Sequence, residues 1–221
     1  MSELLTAYKD ETLGCMRCPL ASTRTQVVFG SGDSNAEVMF VGEAPGYHED
    51  QQGVPFVGQA GQLLEKLLNG IGLTRADVYI ANVLKCRPPG NRDPQPEEIE
   101  ACESHLFRQI ELIRPTLVAT LGNFATKLLS GKPTGITRVH GVPQQVTLGG
   151  NDVTLYPLYH PAAALYTRSM LGVLEQDFLR IPELLGRAHV AVESAFAPEP
   201  EAEAEPLPEL VHEPAVQLGL F

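Results

Sequence analysis

Four cysteines constrain this chain before any element is assigned. Cys15 and Cys18 are separated by two residues, Cys86 lies far downstream, and Cys102 follows it after fifteen intervening residues. If the four thiols close one tetrahedral metal site, the fold must carry the N-terminal segment onto the middle of the chain. Nothing marks the chain as secreted, where disulfides would be the default, so metal binding is the sharper expectation. The plainer alternative is a buried C-x-x-C pair and two unrelated core cysteines. Spacing leaves the metal open. Four-thiolate sets are common for structural zinc. The isolated positions of the last two cysteines, Pro19 after Cys18 and Pro88–Pro89 after Cys86 point instead to iron–sulfur ligation, where a proline follows a ligand cysteine.

With 221 residues, the chain has length for one well-filled α/β domain with extensions, and not for a second full domain. No apolar run approaches a membrane span, and the start, MSELLTAYKDE, lacks a basic segment followed by an apolar one. A cytoplasmic, nucleoid-associated protein with reduced thiols is expected. The net charge of −11 is unevenly spread. Seven of the 27 acidic residues are glutamates from Glu193 onward, where no Lys or Arg occurs; the remaining 20 face 16 basic residues, a balance of −4. A body of that charge still has room for a local basic face, and Lys85, Arg87, Arg92, Arg138 and Arg168 lie beside the motifs below.

Residues 1–186 alternate strand-like and helix-like segments. Apolar runs at Glu37–Val41, Val78–Leu84, Thr116–Leu121 and Val153–Tyr159 predict four strands. Helical spacing predicts helices over Leu63–Ile71, from Pro96 to the residues before Pro115, over Asn123–Leu129 and over Leu171–Leu185. The expected fold class is α/β: one three-layer α/β/α domain around a mostly parallel four-stranded sheet. Sites in such sheets form at the carboxyl ends of the strands, where Gly42–Glu43, Asn82 and His160 fall.

Several motifs at these ends carry chemistry. GEAPG (Gly42–Gly46), followed by Glu49 and Asp50, lets backbone approach a ligand closely. Phe56 precedes Gly58 at the entry to a helix. The Asn82 amide offers both a donor and an acceptor to a base edge. His160 is aimed by the turn that Pro161 begins. Each has a plainer reading as a turn, core or capping residue.

Together these residues resemble the family-4 uracil-DNA glycosylases, the iron–sulfur branch of their superfamily. The matching pieces are C-x-x-C-P-L (Cys15–Leu20), VGEAPG with its acidic continuation (Val41–Asp50) and G-x-PFVG-x-AG-x-LL (Gly53–Leu64). The match continues through Y-I-x-N-V-x-KCRPP-x-NR (Tyr79–Arg92), the Cys102 helix and HPA (His160–Ala162), over nearly all of residues 13–186. The resemblance implies a 4Fe–4S cluster on Cys15, Cys18, Cys86 and Cys102. It implies hydrolysis of the N-glycosidic bond of a uracil flipped from DNA, the opening step of base excision repair. Phe56 would stack on the base, Asn82 would read its polar edge, and Gly42 and Gly46 would shape the pocket. His160 would stabilise the leaving uracil anion, and Glu43 and Glu49 would serve the attacking water and the developing sugar cation. Lys85, Arg87, Asn91, Arg92 and Arg168 would contact DNA.

Two alternatives stand beside this. One relative binds uracil-DNA covalently through a histidine in a basic insert after the second strand, but Arg87–Pro96 here has neither insert nor histidine. A zinc-stabilised DNA-binding accessory protein without turnover is the other. Beyond the domain, 187–216 is rich in Pro, Glu and Ala and is expected to be a disordered linker. Residues 217–221, QLGLF, resemble the bacterial sliding-clamp-binding pentapeptide, with Gln217, Leu218, Leu220 and Phe221 as the docking side chains. A tether of about 30 residues spans roughly 30 Å as a coil, enough to raise the effective concentration of the domain near the clamp. A monomer is expected.

Overall fold

The computed structural model describes residues 2–187. Its six strands are β1 (Ser31–Gly32), β2 (Val38–Gly42), β3 (Tyr79–Asn82), β4 (Leu117–Leu121), β5 (Gln144–Leu148) and β6 (Asn151–Leu158), ordered β1-β3-β2-β4-β6-β5. β2 runs parallel to both β3 and β4, and β4 parallel to β6. These four are the strands that the apolar runs predict, and the α/β class holds. The strand count is corrected from four to six by antiparallel edges, β1 on β3 and β5 on β6. Neither edge has the continuous apolar run of a buried strand. β1 is two residues long, and β5 alternates half-buried and exposed positions up to Leu148. Gly149 and Gly150, both at positive φ, make the tight two-residue connection from β5 to β6.

The helices are α1 (Glu3–Leu13), α2 (Tyr47–Gln52), α3 (Gln59–Asn69), α4 (Pro96–Ile113), α5 (Asn123–Ser130), α6 (Ile136–Val139), α7 (Pro161–Ala164), α8 (Arg168–Leu179) and α9 (Ile181–Leu184). α4 begins at Pro96, where proline's missing N–H costs nothing, and stops at left-handed Arg114 before Pro115. The expected helix over Leu171–Leu185 starts earlier and is split around Arg180, ahead of Pro182.

Side-chain alternation along β2 builds two core layers. Met39 and Val41 pack with Leu106 and Ile110 of α4, whereas Val38 and Phe40 pack with α3 and α8, Phe40 stacking on Phe178. Among the described residues no helix is long and apolar enough to cross a membrane. The proposed linker after Arg187 and the peptide Gln217–Phe221 lie outside the described residues.

Candidate active site

Strand order reverses on either side of β2, which opens a crevice at the carboxyl ends of the parallel strands. Asn82 ends β3, Glu43 follows β2 and His160 follows β6. Together with Gly46, Glu49 and Phe56 they line one cavity of about 400 Å³, with Pro88, Asn91 and Arg92 also on its wall. Gly42 lies directly behind it. A Cβ there would stand 2.4 Å from Asn82 Oδ1 and 2.7 Å from the Phe56 ring. Only a residue without a side chain lets the two elements meet.

Asn82 is 2% exposed, and its Oδ1 is the one buried side-chain nitrogen or oxygen among the described residues that has no hydrogen-bond partner. Leaving such an atom unpaired costs about 1–3 kcal/mol. Asn82 lines the cavity, and a bound ligand with a donor group is one way to satisfy this acceptor.

Phe56 holds a left-handed backbone (φ 54°), uncommon for an aromatic residue. Arg75 clamps this bend, donating to the carbonyls of Phe56 at 2.9 Å and Pro55 at 2.6 Å. The Phe56 ring lies 5.7 Å from the His160 ring at 29° between planes. His160 Nδ1 accepts the Ala162 N–H at 3.1 Å, so the neutral ring carries its proton on Nε2. Burial pulls its pKa down to about 4, against the opposing pull of the Glu49 charge, and the ring is a neutral donor at physiological pH.

The two glutamates occupy different environments. Glu49 Oε1 accepts the N–H groups of Val57 (2.9 Å) and Gly58 (3.0 Å), and Oε2 accepts that of Gly46 (3.1 Å). Its carboxylate therefore ties together two loops of the pocket. Glu43 is half-buried, and burial, reinforced by the Asp93 charge, raises its pKa.

The expected DNA contacts divide. Lys85 is corrected: it is 1% exposed, and Nζ donates inward to the Asn82 carbonyl and Gln109 Oε1, so it presents nothing to a phosphate. Burial pushes its pKa down to about 8, opposed by the charges of Cys102 and Cys86. Arg92 makes a two-pronged ion pair with Glu98 yet stays partly open to solvent. Arg87 donates to Asn91 and lies over the exposed Tyr47 ring. Arg168 is exposed at the start of α8, apart from the cavity walls.

The four cysteines are free thiols; Cys102 on α4 and Cys86 in the loop after β3 are buried in one core layer, and Cys18 packs against it. They bear on one another electrostatically: Cys18 and Cys102 act on Cys86, and Cys15 and Cys18 on Cys102. Burial pushes the Cys86 thiol up to about 11, with Arg24 opposing. Three donors or ring nitrogens lie on sulfur: the Lys85 N–H on Cys102 (3.3 Å), Arg24 on Cys86 (3.4 Å) and His105 Nε2 against Cys15 (3.4 Å). Among the described residues no three His, Cys, Asp or Glu side chains close tightly round one point as ligands of a single ion. The donor set, four thiols with nitrogen groups lying on three of the sulfurs, fits a thiolate-held metal group. Sequence reasoning missed Arg24, Arg75, His105 and Gln109, whose partners lie up to 97 residues away.

A parallel-sheet crevice lined by an aromatic ring, an amide with an unpaired oxygen and a neutral histidine offers the groups that a small, planar, polar ligand such as a nucleobase would meet. The family model of the uracil DNA glycosylase superfamily matches residues 29–181, and the chain belongs to that superfamily. Within it the chain is 49% identical over 189 residues to the type-4 uracil-DNA glycosylase of Archaeoglobus fulgidus, covering 84% of this chain and 95% of the relative. It is 46% identical to that of Saccharolobus solfataricus, over 86% of this chain and 90% of the relative. To that of Thermotoga maritima it is 46% identical, over 76% and 86%. It is a member of the type-4 uracil-DNA glycosylases.

Proposed function

We propose that this uracil-DNA glycosylase reads a flipped-out uracil through Asn82 and hydrolyses its N-glycosidic bond with Glu43 and His160, leaving an abasic site for base excision repair. The observation that carries the reading is the orphan Oδ1 of Asn82. Uracil N3–H donates to Oδ1 while its O4 accepts from the amide nitrogen. Cytosine reverses both positions and leaves two buried groups unpaired, which rejects it. Phe56, locked in its bend by Arg75, stacks on the base. Gly42 and Gly46 keep the wall thin beside it. As the bond between C1′ and N1 breaks, its electron pair goes to the uracil ring. His160 Nε2–H donates to uracil O2 and stabilises that charge. Water attacks C1′, and its proton passes to Glu43. Glu49 supports the reaction by holding the Gly46 and Val57–Gly58 backbones in place. Arg87, Asn91, Arg92 and Arg168 take the flanking DNA.

The same proposal assigns a 4Fe–4S cluster to Cys15, Cys18, Cys86 and Cys102, supported by four free thiols from three segments and by family membership. When bound, it would cross-link the N-terminal segment, the loop after β3 and α4. Residues 1–186 form the catalytic unit, 187–216 a linker, and 217–221 a peptide that binds a sliding clamp. Support for the peptide is its Gln-x-x-Leu-Phe pattern after a Glu- and Pro-rich stretch. Deleting 217–221 removes clamp binding and leaves activity on free oligonucleotides intact; unchanged clamp affinity refutes the assignment.

Mass spectrometry of a single-uracil strand after incubation with the purified protein tests the function. Free uracil plus an abasic strand is the expected result. A strand joined to the protein means capture without turnover, and an unchanged strand with iron in place rejects the enzyme. Metal analysis showing zinc in place of iron rejects the cluster.

A further inference from the structure

We propose that Lys85 is a positioning residue that ties the base-reading strand end at Asn82 to the thiol site; this rests on the roles proposed above for Asn82 and the cysteines. The lysine is buried, and Nζ donates to the Asn82 carbonyl at 2.7 Å and to Gln109 Oε1 at 2.6 Å. Its own backbone N–H donates to Cys102 Sγ at 3.3 Å. One residue therefore touches both the cavity's reading residue and a proposed ligand.

The direction of each bond in this chain is determined. Gln109 is fully buried, and its Nε2 donates to the Phe29 carbonyl at 2.7 Å, an oxygen that only accepts. Its Oε1 must then face Lys85, and a lysine only donates. The amide cannot flip without breaking both contacts. Val83 N–H donates to the Gly42 carbonyl and Leu84 N–H to the Glu43 carbonyl, which fastens the same stretch to the β2 loop. The end of β3 is thus held from both sides at a residue that lines the cavity.

Packing alone does not explain a lysine here. Both oxygens that Nζ meets are neutral, and methionine would fill a similar space without burying a strongly polar group. What the lysine supplies is directional: it fixes the Asn82 carbonyl, and through the shared backbone it fixes where Oδ1 stands. A displacement well under 1 Å is enough to affect catalysis.

The test uses the full-length, iron-loaded protein with Lys85→Met, read by visible absorbance, by inhibition with free uracil, and by kcat and KM on a single-uracil strand. The expected result is an intact absorbance per protein, inhibition by free uracil weakened about tenfold, and kcat reduced about tenfold. Affinity for a strand bearing an abasic-site analogue moves less than about twofold, because the contacts to flanking DNA are elsewhere. Uracil inhibition and kcat both within about twofold of the parent, with the cluster intact, overturn the proposal. Should Lys85→Met not fold, Gln109→Leu removes the acceptor that orients Nζ and is expected to move both readouts the same way by about threefold; no movement overturns the proposal equally. Asn82→Ala in the parent separates the two levels. If it leaves uracil inhibition intact, the base-reading role has failed; if it abolishes inhibition while Lys85→Met does not weaken it, only the lysine's role has failed.

Discussion

Gly42→Ala tests the tightest point of the site. Gly42 lies outside the left-handed region, so alanine meets no backbone strain there and any effect is steric. The new methyl would stand 2.4 Å from Asn82 Oδ1 and 2.7 Å from the Phe56 ring, where ordinary contact begins near 3.4 Å. The Asn82 oxygen must retreat by about 1 Å and the ring by somewhat less, moving the reading and stacking groups together. A misplacement of that size costs about a hundredfold in rate, or about 2.7 kcal/mol of barrier. Overpacking also lowers stability by about 1–3 kcal/mol, a drop of several degrees in Tm. The assay is the single-turnover rate of uracil release from a strand with one uracil, at saturating enzyme and well below Tm. A folded Gly42→Ala protein that releases uracil within about threefold of the parent rate would show that Asn82 and Phe56 do not act from the positions described.

Other perturbations separate the remaining roles. Glu43 must be ionised to take a proton, and burial with the Asp93 charge raises its pKa, so the acid limb of kcat should lie above that of an ordinary exposed glutamate. Activity should fall about tenfold per pH unit below that limb. Asp93→Asn removes the charge that helps raise Glu43 and should shift the limb to lower pH; a pH–rate profile that does not move assigns the limb elsewhere. Arg75→Ala frees the carbonyls of Pro55 and Phe56 and should cost about 1.5–3 kcal/mol of stability by denaturant unfolding. It should also slow uracil release more than Arg75→Lys does; equal rates for the two variants would contradict the clamp. Removing the metal group by chelation under oxidising conditions should raise hydrogen exchange in the segment from α1 to Arg24 and around Lys85–Arg92. Strands β2 and β4 should stay protected, because neither strand carries one of the four cysteines. Uniform loss of protection would mean that the thiols hold the whole domain.

The central sheet was legible because its four parallel strands are buried on both sides and so appear as unbroken apolar runs in the chain. The edge strands β1 and β5 were not, since one is two residues long and the other is half-wet. Asn82, His160 and Glu43 stood out because they lie at strand ends, a position that local patterning reveals, and Glu49 because it follows the GEAPG motif. Their division of labour was not readable. Glu43 and Glu49 are the same residue type six positions apart, and only the fold points three backbone N–H groups at one and leaves the other beside Asp93. Lys85 shows the converse. Beside a cysteine and ahead of Arg87 it looked like part of a basic face, yet the loop after β3 carries its side chain inward, where Gln109, 24 residues away on α4, receives its ammonium. Arg75 likewise reaches the Phe56 bend across 19 residues. Local chemistry and periodicity are encoded residue by residue, so the sequence alone determined the sheet core, the thiol set and the families of reactive groups. Which polar group is buried, paired or left open depends on contacts between distant segments, and the tertiary structure alone decided that.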